Sequence, residues 1–73
     1  MTAPLRRVET LTARLESLSR QRDLAVSEAV AAGASWSAIA GALGISPQAA
    51  HKRYRWIRHD DAGNVWHERP LQL

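Results

Sequence analysis

The stretch that decides the fold is residues 35–54, which read SWSAIAGALGISPQAAHKRY. Ser35 and Ser46 each stand where a serine hydroxyl can cap the start of a helix, and Pro47 favours the first helical position. Gly44 lies between them and tolerates the positive φ with which many helices end. These signals predict two helices joined by a tight turn, the first over residues 36–43 and the second from Pro47 to about Ile57 or Arg58.

The spacing of apolar residues predicts that these two helices pack against each other. The second helix repeats its apolar residues at intervals of four and three, so they share one face. Small Ala40 allows the second helix to approach the first closely, and Ile45 in the turn is expected to fill the core. The facing residues are Ile39 and Leu43 on the first helix and Ala50, Tyr54 and Ile57 on the second.

This pattern resembles the helix-turn-helix of the LuxR-type and sigma-factor DNA-binding families. It is especially similar to small helix-turn-helix proteins common in actinobacteria. The resemblance covers roughly residues 22–58 and depends on Ala40, Gly44, Ile45, Ser46, Pro47, Arg53 and Tyr54. It implies that the second helix of the pair enters the major groove of duplex DNA.

The charges are unevenly distributed along the chain, although the net charge is only +3. Residues 46–59 contain four Lys and Arg residues and no acidic residue, whereas residues 60–73 contain three acidic residues and one Arg. Such a local excess of positive charge is expected of a phosphate-binding surface. The predicted DNA-binding residues are Ser46, Pro47, Gln48, His51, Lys52, Arg53, Arg55 and Arg58.

These residues suit different kinds of DNA contact. Gln48 can pair with adenine, and Lys52 or Arg55 can contact the edge of guanine. Ser46 and Arg53 are better placed for phosphates. A face that docks on another protein more often shows apolar anchors, so we expect DNA rather than a protein partner.

A long helix is predicted ahead of this motif, because Pro4 suits a first helical turn and no further Gly or Pro occurs until Gly33. Its apolar residues Val8, Leu11, Leu15 and Leu18 alternate at intervals of three and four, as in a short coiled-coil seam. The motif helices are too short to cover them. We expect a second copy of the chain to do so, and the alternative is a helix bent back on its own domain.

The C-terminal segment changes character. Residues 60–63 read Asp60-Asp61-Ala62-Gly63, which is typical of a type I turn closed by a glycine in a left-handed conformation. A short hairpin that brings Trp56 or Ile57 near Val65 or Trp66 is one expectation, and an irregular tail packed through Trp66 is the other. The expected fold is therefore mostly α, with a dimerising helical extension over 1–21, a helix-turn-helix domain over 22–58 and a hairpin or tail over 59–73.

Composition excludes several classes of protein. The 73 residues include no cysteine, which removes disulfides and thiolate metal sites. No apolar run approaches a membrane span, so a cytoplasmic protein is expected. The sequence has no pair of histidines at the spacing of metal ligands, so neither a metal site nor a cofactor is expected. It also lacks a recognisable set of catalytic residues, so an enzyme is not expected.

The expected function is sequence-specific binding of double-stranded DNA by a homodimer, in transcriptional regulation. Two alternatives stay open. The same fold can dock on RNA polymerase or another protein, and a nucleoid-associated or phage accessory protein would bind DNA with weak sequence preference.

Overall fold

The structure, a computed structural model, describes residues 2–71. Within that range the elements follow in the order α1 (Ala3–Ala31), α2 (Trp36–Leu43), α3 (Pro47–Tyr54), β1 (Ile57–His59) and β2 (Val65–His67). The prediction of a mostly helical chain, with a long first helix ahead of a helix-turn-helix, is confirmed.

Helix α1 is 29 residues long and has Pro4 in its first turn, where the missing N–H removes no helical hydrogen bond. It ends at Ala31, and Gly33 follows at a φ of +88°. The N–H of Ala34 then donates to the carbonyl of Ala29 at 2.9 Å, which closes the helix end. At about 1.5 Å per residue α1 spans roughly 43 Å. No helix within residues 2–71 is both long and apolar enough to cross a membrane.

The two motif helices start as predicted. The hydroxyl of Ser35 accepts a hydrogen bond from the N–H of Ala38 at 3.1 Å. The hydroxyl of Ser46 accepts one from the N–H of Ala49, also at 3.1 Å. Each serine therefore satisfies a backbone donor that has no partner inside its helix.

The turn between α2 and α3 is also as predicted, with one exception. Gly44 ends α2 at a φ of +73°, and Ala40, only 1% exposed, marks the close approach of the helices. The prediction that Ile45 fills the core is wrong, because its side chain is exposed. Its backbone N–H donates to the carbonyl of Ala40 at 3.1 Å, so Ile45 holds the turn through its backbone.

Helix α3 is shorter than predicted. It ends at Tyr54, not at Ile57 or Arg58, and Arg55 is its C-terminal cap. Ile57 is buried as expected, but it reaches the core from β1. Ladder hydrogen bonds with β2 hold this segment extended, and that pairing competes with continuation of the helix.

The C-terminal segment forms the hairpin rather than an irregular tail. Strands β1 and β2 are antiparallel, with Ile57 opposite His67, Arg58 opposite Trp66 and His59 opposite Val65. Ile57 belongs to the core and Val65 packs against that core, in line with the expected proximity of the two strands. The N–H of Gly63 donates to the carbonyl of Asp60 at 3.1 Å, with Gly63 at a φ of +85°, as the turn chemistry predicted.

The core lies where α2, α3 and β1 meet the C-terminal half of α1. Its buried apolar residues are Val26 of α1, Ile39 and Ala40 of α2, Ala50 and Tyr54 of α3, and Ile57 of β1. Trp36 and Val65 pack against its edge. Trp66, expected to anchor the tail, is 42% exposed, because alternation along β2 turns its neighbour Val65 inward instead.

Candidate nucleic-acid interface

Helix α3 presents a polar face to solvent. Ala50 and Tyr54 are its buried residues, spaced four apart, and they fix the opposite face outward. The predicted residues exposed on or beside this helix are Ser46, Pro47, Gln48, His51, Lys52, Arg53 and Arg55. The Ser46 hydroxyl, proposed from sequence for phosphate contact, already accepts the Ala49 N–H in the capping bond.

Aromatic neighbours position three of these side chains. The imidazole of His51 meets the ring of Trp36 edge to face, with 5.3 Å between centroids. The guanidinium of Arg53 lies 5.2 Å from the centre of the Tyr54 ring. The guanidinium of Arg55 lies 5.3 Å from a ring centroid of Trp56. Cation–π contacts of this kind restrain a guanidinium without neutralising its charge.

Arg58, the remaining predicted DNA-binding residue, does not lie on α3 as the sequence predicted. It lies in β1 because α3 ends early, and it lines a cleft against Ser27 of α1. Its guanidinium donates to the carbonyl of Ile57 at 2.8 Å and faces the carboxylate of Glu68 at 3.8 Å. Both contacts belong to the hairpin.

A cleft between the C-terminal end of α3 and the chain after β2 extends the positive surface. We call it the basic cleft; it measures roughly 610 Å³ and is lined by Lys52, Arg53, Arg55, Trp56, His67, Arg69, Pro70 and Leu71. No acidic residue is among them. Sequence reasoning assigned His67 and Arg69 to a net-negative tail and missed them, because only the hairpin returns them to α3.

The acidic loop of the hairpin lies at the other end of β2. Gly63 and Asn64 line a cleft with Ser17 and Arg20 of α1, so the loop rests along α1. Hydrogen bonds from the side chain and then the backbone of Asn64 lower the pKa of Asp60 below its usual range. The carboxylate therefore stays charged at neutral pH and closes the loop, away from the basic cleft.

Two polar contacts that sequence reasoning missed fasten α1 to the elements behind the interface. The hydroxyl of Tyr54 donates to the Oδ1 atom of Asp23 at 3.2 Å. The hydroxyl of Ser27, itself buried, lies 2.7 Å from Nδ1 of His59. Each joins residues more than thirty positions apart, so no local pattern marks them.

Burial raises the pKa of the Tyr54 phenol, and the negative charge of Asp23 raises it further. Arg53 and Arg22 lower it by smaller amounts. The phenol therefore stays protonated through the neutral range and keeps its donor role towards Asp23.

The histidines lie in three separate environments. His51 contacts Trp36, His59 contacts Ser27, and His67 stacks on Tyr54 with 6.4 Å between ring centroids. Among residues 2–71, no group of three histidine or carboxylate side chains is close enough to hold a metal ion.

No family model, curated protein or solved structure matches this chain. The resemblance of this sequence to helix-turn-helix families therefore stays a prediction. What this surface binds has to follow from its own geometry and charge.

Proposed function

We propose that the chain binds double-stranded DNA, with α3 lying in the major groove. The observation that carries the proposal is the continuous acid-free surface formed by the exposed face of α3 and the basic cleft. Phosphates attract such a surface regardless of sequence, and side chains on the helix read the base edges.

The contacts divide by position. Gln48 and Lys52 lie on the exposed face of α3 and are our candidates for base contacts, with Arg55 at its end. Arg53 is the candidate phosphate contact on α3, and Arg69 and His67 would follow the backbone beside the groove. Trp36 and Tyr54 support His51 and Arg53, so these side chains are partly ordered before they bind.

The biological role that fits this surface is sequence-specific transcriptional regulation in the cytoplasm. We also propose a homodimer formed through Val8, Leu11, Leu15 and Leu18 of α1. Each of these side chains is at least half exposed in the single chain. Burying one such side chain is worth about 1.5–3 kcal/mol, a large gain for a chain with a small core.

Charge removal tests the interface. Lys52→Ala and Arg55→Ala should each weaken duplex binding by about 1–3 kcal/mol where a base contact is lost. Arg69→Ala should weaken all sequences alike and reduce the slope of log K against log salt by about one. Fluorescence anisotropy at several salt concentrations measures both effects.

Arg58→Ala is the matched control, because it removes the same charge from a side chain paired with Glu68 outside the basic cleft. Binding reduced by Arg58→Ala but not by Lys52→Ala would move the interface to the hairpin. Selection of bound sequences from random duplexes then tests specificity. Strong enrichment of one site supports transcriptional regulation, and weak enrichment supports a nucleoid-associated role. If the protein retains no DNA, a protein-docking role is supported instead.

A further inference from the structure

The exposed row on α1 continues beyond its leucines. Val8, Leu11, Leu15 and Leu18 are followed by Arg22, Ala25 and Ala29 at the same alternating intervals, so all seven lie along one stripe. The first four are large and exposed. The last three are an arginine and two alanines, and they border an open groove of roughly 290 Å³ between α1 and α2.

The groove is apolar on both walls. Ala25, Val26 and Ala29 form the α1 wall, and Ile39, Ala42 and Leu43 form the α2 wall. Within the described residues, the hairpin packs on a different face of α1, around Leu24 and Ser27. Six residues of the stripe are therefore exposed, and only Ala29 at its end packs against the core.

We propose that two copies of the chain pair antiparallel along α1, with the leucine half of each helix lying in the α1–α2 groove of the other. This rests on the homodimer proposed above and specifies its partner surface. Leu15 of one copy then faces Leu18 of the other, Val8 faces Ala25, and Leu11 faces the aliphatic stem of Arg22. The arrangement is a closed two-fold dimer in which every such contact occurs twice.

Side-chain size favours this orientation. Antiparallel pairing sets Val8 against Ala25 of the other copy and Leu11 against Arg22, so no layer of the interface pairs two alanines. Parallel pairing would set Val8 and the leucines against themselves and Ala25 and Ala29 against themselves. It would also leave the α1–α2 groove open beside the thinnest part of the interface.

Charge favours the same orientation. In the antiparallel register Arg7 of one copy flanks Glu28 of the other, on the side of the stripe away from α2. Within residues 2–71 neither side chain is in an ion pair of its own chain. Parallel pairing would instead oppose Arg22 to Arg22 in the seam, where like charges repel.

The spacing also suits two DNA half-sites. The two-fold axis passes between Leu15 and Leu18, and the buried residues Val26 and Ser27 of each copy lie about ten residues away. At 1.5 Å per residue the two helix-turn-helix units are then roughly 30 Å apart along α1. Half-sites one helical turn apart are separated by about 34–36 Å.

Cysteine pairing tests the orientation directly, because the native chain has no cysteine. Val8→Cys and Ala25→Cys proteins are prepared separately, mixed and oxidised, and the products are resolved by mass. The antiparallel dimer predicts a mixed disulfide, with little self-pairing of either variant. Ala13→Cys, on the outer side of the same helix, is the control and should not pair.

Every other outcome overturns the orientation. Self-pairing of Val8→Cys would establish a parallel dimer and keep the homodimer proposal. If light scattering shows a dimer but no disulfide forms, the dimer interface lies outside this stripe. A monomer at tens of micromolar without any disulfide would end both the orientation and the homodimer.

Charge reversal supplies an independent readout. Arg7→Glu and Glu28→Arg should each weaken dimerisation by about two- to fivefold, and the double variant should recover most of it. Within one α1 the two residues are roughly 31 Å apart, too far for direct coupling. Additive losses in the double variant would therefore reject the antiparallel register.

Discussion

The two halves of α1 differ in how far their side chains are buried. The first half contains Leu5, Val8, Leu11, Leu15 and Leu18, and all of them are between 50% and 68% exposed. The second half has mostly smaller residues, yet Val26 and Ser27 are buried. Burial thus follows the elements that reach each half and not the apolar content of the half itself.

Chain geometry explains the difference. Helices α2 and α3 have eight residues each, about 12 Å, and the strands have three. They all follow α1 in sequence and fold back from its C-terminal end, so they cannot cover a helix of roughly 43 Å. The leucine half is therefore exposed in the single chain, and the proposed dimer would cover it.

The largest expected effect comes from placing the same charge in each half. Val26→Asp buries an unpaired carboxylate in the core and should cost about 3–5 kcal/mol, much of the stability of a chain this small. Val8→Asp changes a side chain that is 60% exposed and should leave the fold of the single chain intact. Thermal denaturation by circular dichroism at submicromolar concentration compares the two. Equal losses of stability would show that the first half also packs within its own chain.

A smaller effect is expected at the contact between Tyr54 and Asp23, which fastens α3 to the second half of α1. Tyr54→Phe removes a hydrogen bond to a charged group and should cost about 1–3 kcal/mol at pH 7. Denaturant titration of the two proteins measures this difference in the free energy of unfolding.

The same contact predicts a dependence on alkaline pH. Burial and the charge of Asp23 raise the pKa of Tyr54 in the folded state above its usual value of 10.0. The folded state therefore holds the phenolic proton more tightly than the unfolded state, and the stabilisation is fully present below pH 10. It is lost as the pH rises from 10 through the folded pKa. Tyr54 is the single tyrosine, so absorbance of the phenolate reports its titration, and Tyr54→Phe should lack this loss.

Sequence predicted the parts of the fold that local chemistry decides. Ser35, Ser46 and Gly44 act through residues within four positions of themselves, and each does what its type predicts. The predicted end of α3 was wrong because the position of Ile57 fits both the helical and the strand period of apolar residues. It follows Tyr54 by three, as on a helix, and it alternates with Arg58, as on a strand; only pairing with β2 decides.

The candidate interface divides in the same way. The exposed face of α3 could be read from the spacing of Ala50 and Tyr54. The position of Arg69 in the basic cleft and that of Arg58 in β1 both depend on the hairpin, which pairs residues outside the motif helices. Non-local pairing is where a sequence pattern carries least information.

The smallest expected effect separates two neighbours on β2, Val65 and Trp66, of which Trp66 was expected to anchor the C-terminal segment if it formed an irregular tail. Val65 packs against the core beside the second half of α1, whereas Trp66 is 42% exposed and faces Arg58 across the hairpin. Val65→Ala should therefore cost about 1 kcal/mol, and Trp66→Ala about 0.5 kcal/mol or less, although the tryptophan loses far more atoms. Chemical denaturation of both variants, with matched slopes, measures the difference. A larger loss for Trp66→Ala would mean that the hairpin packs on α1 through the face that carries Trp66. The stability of the second half of α1 would then depend on Trp66, as expected for a tail packed through this residue.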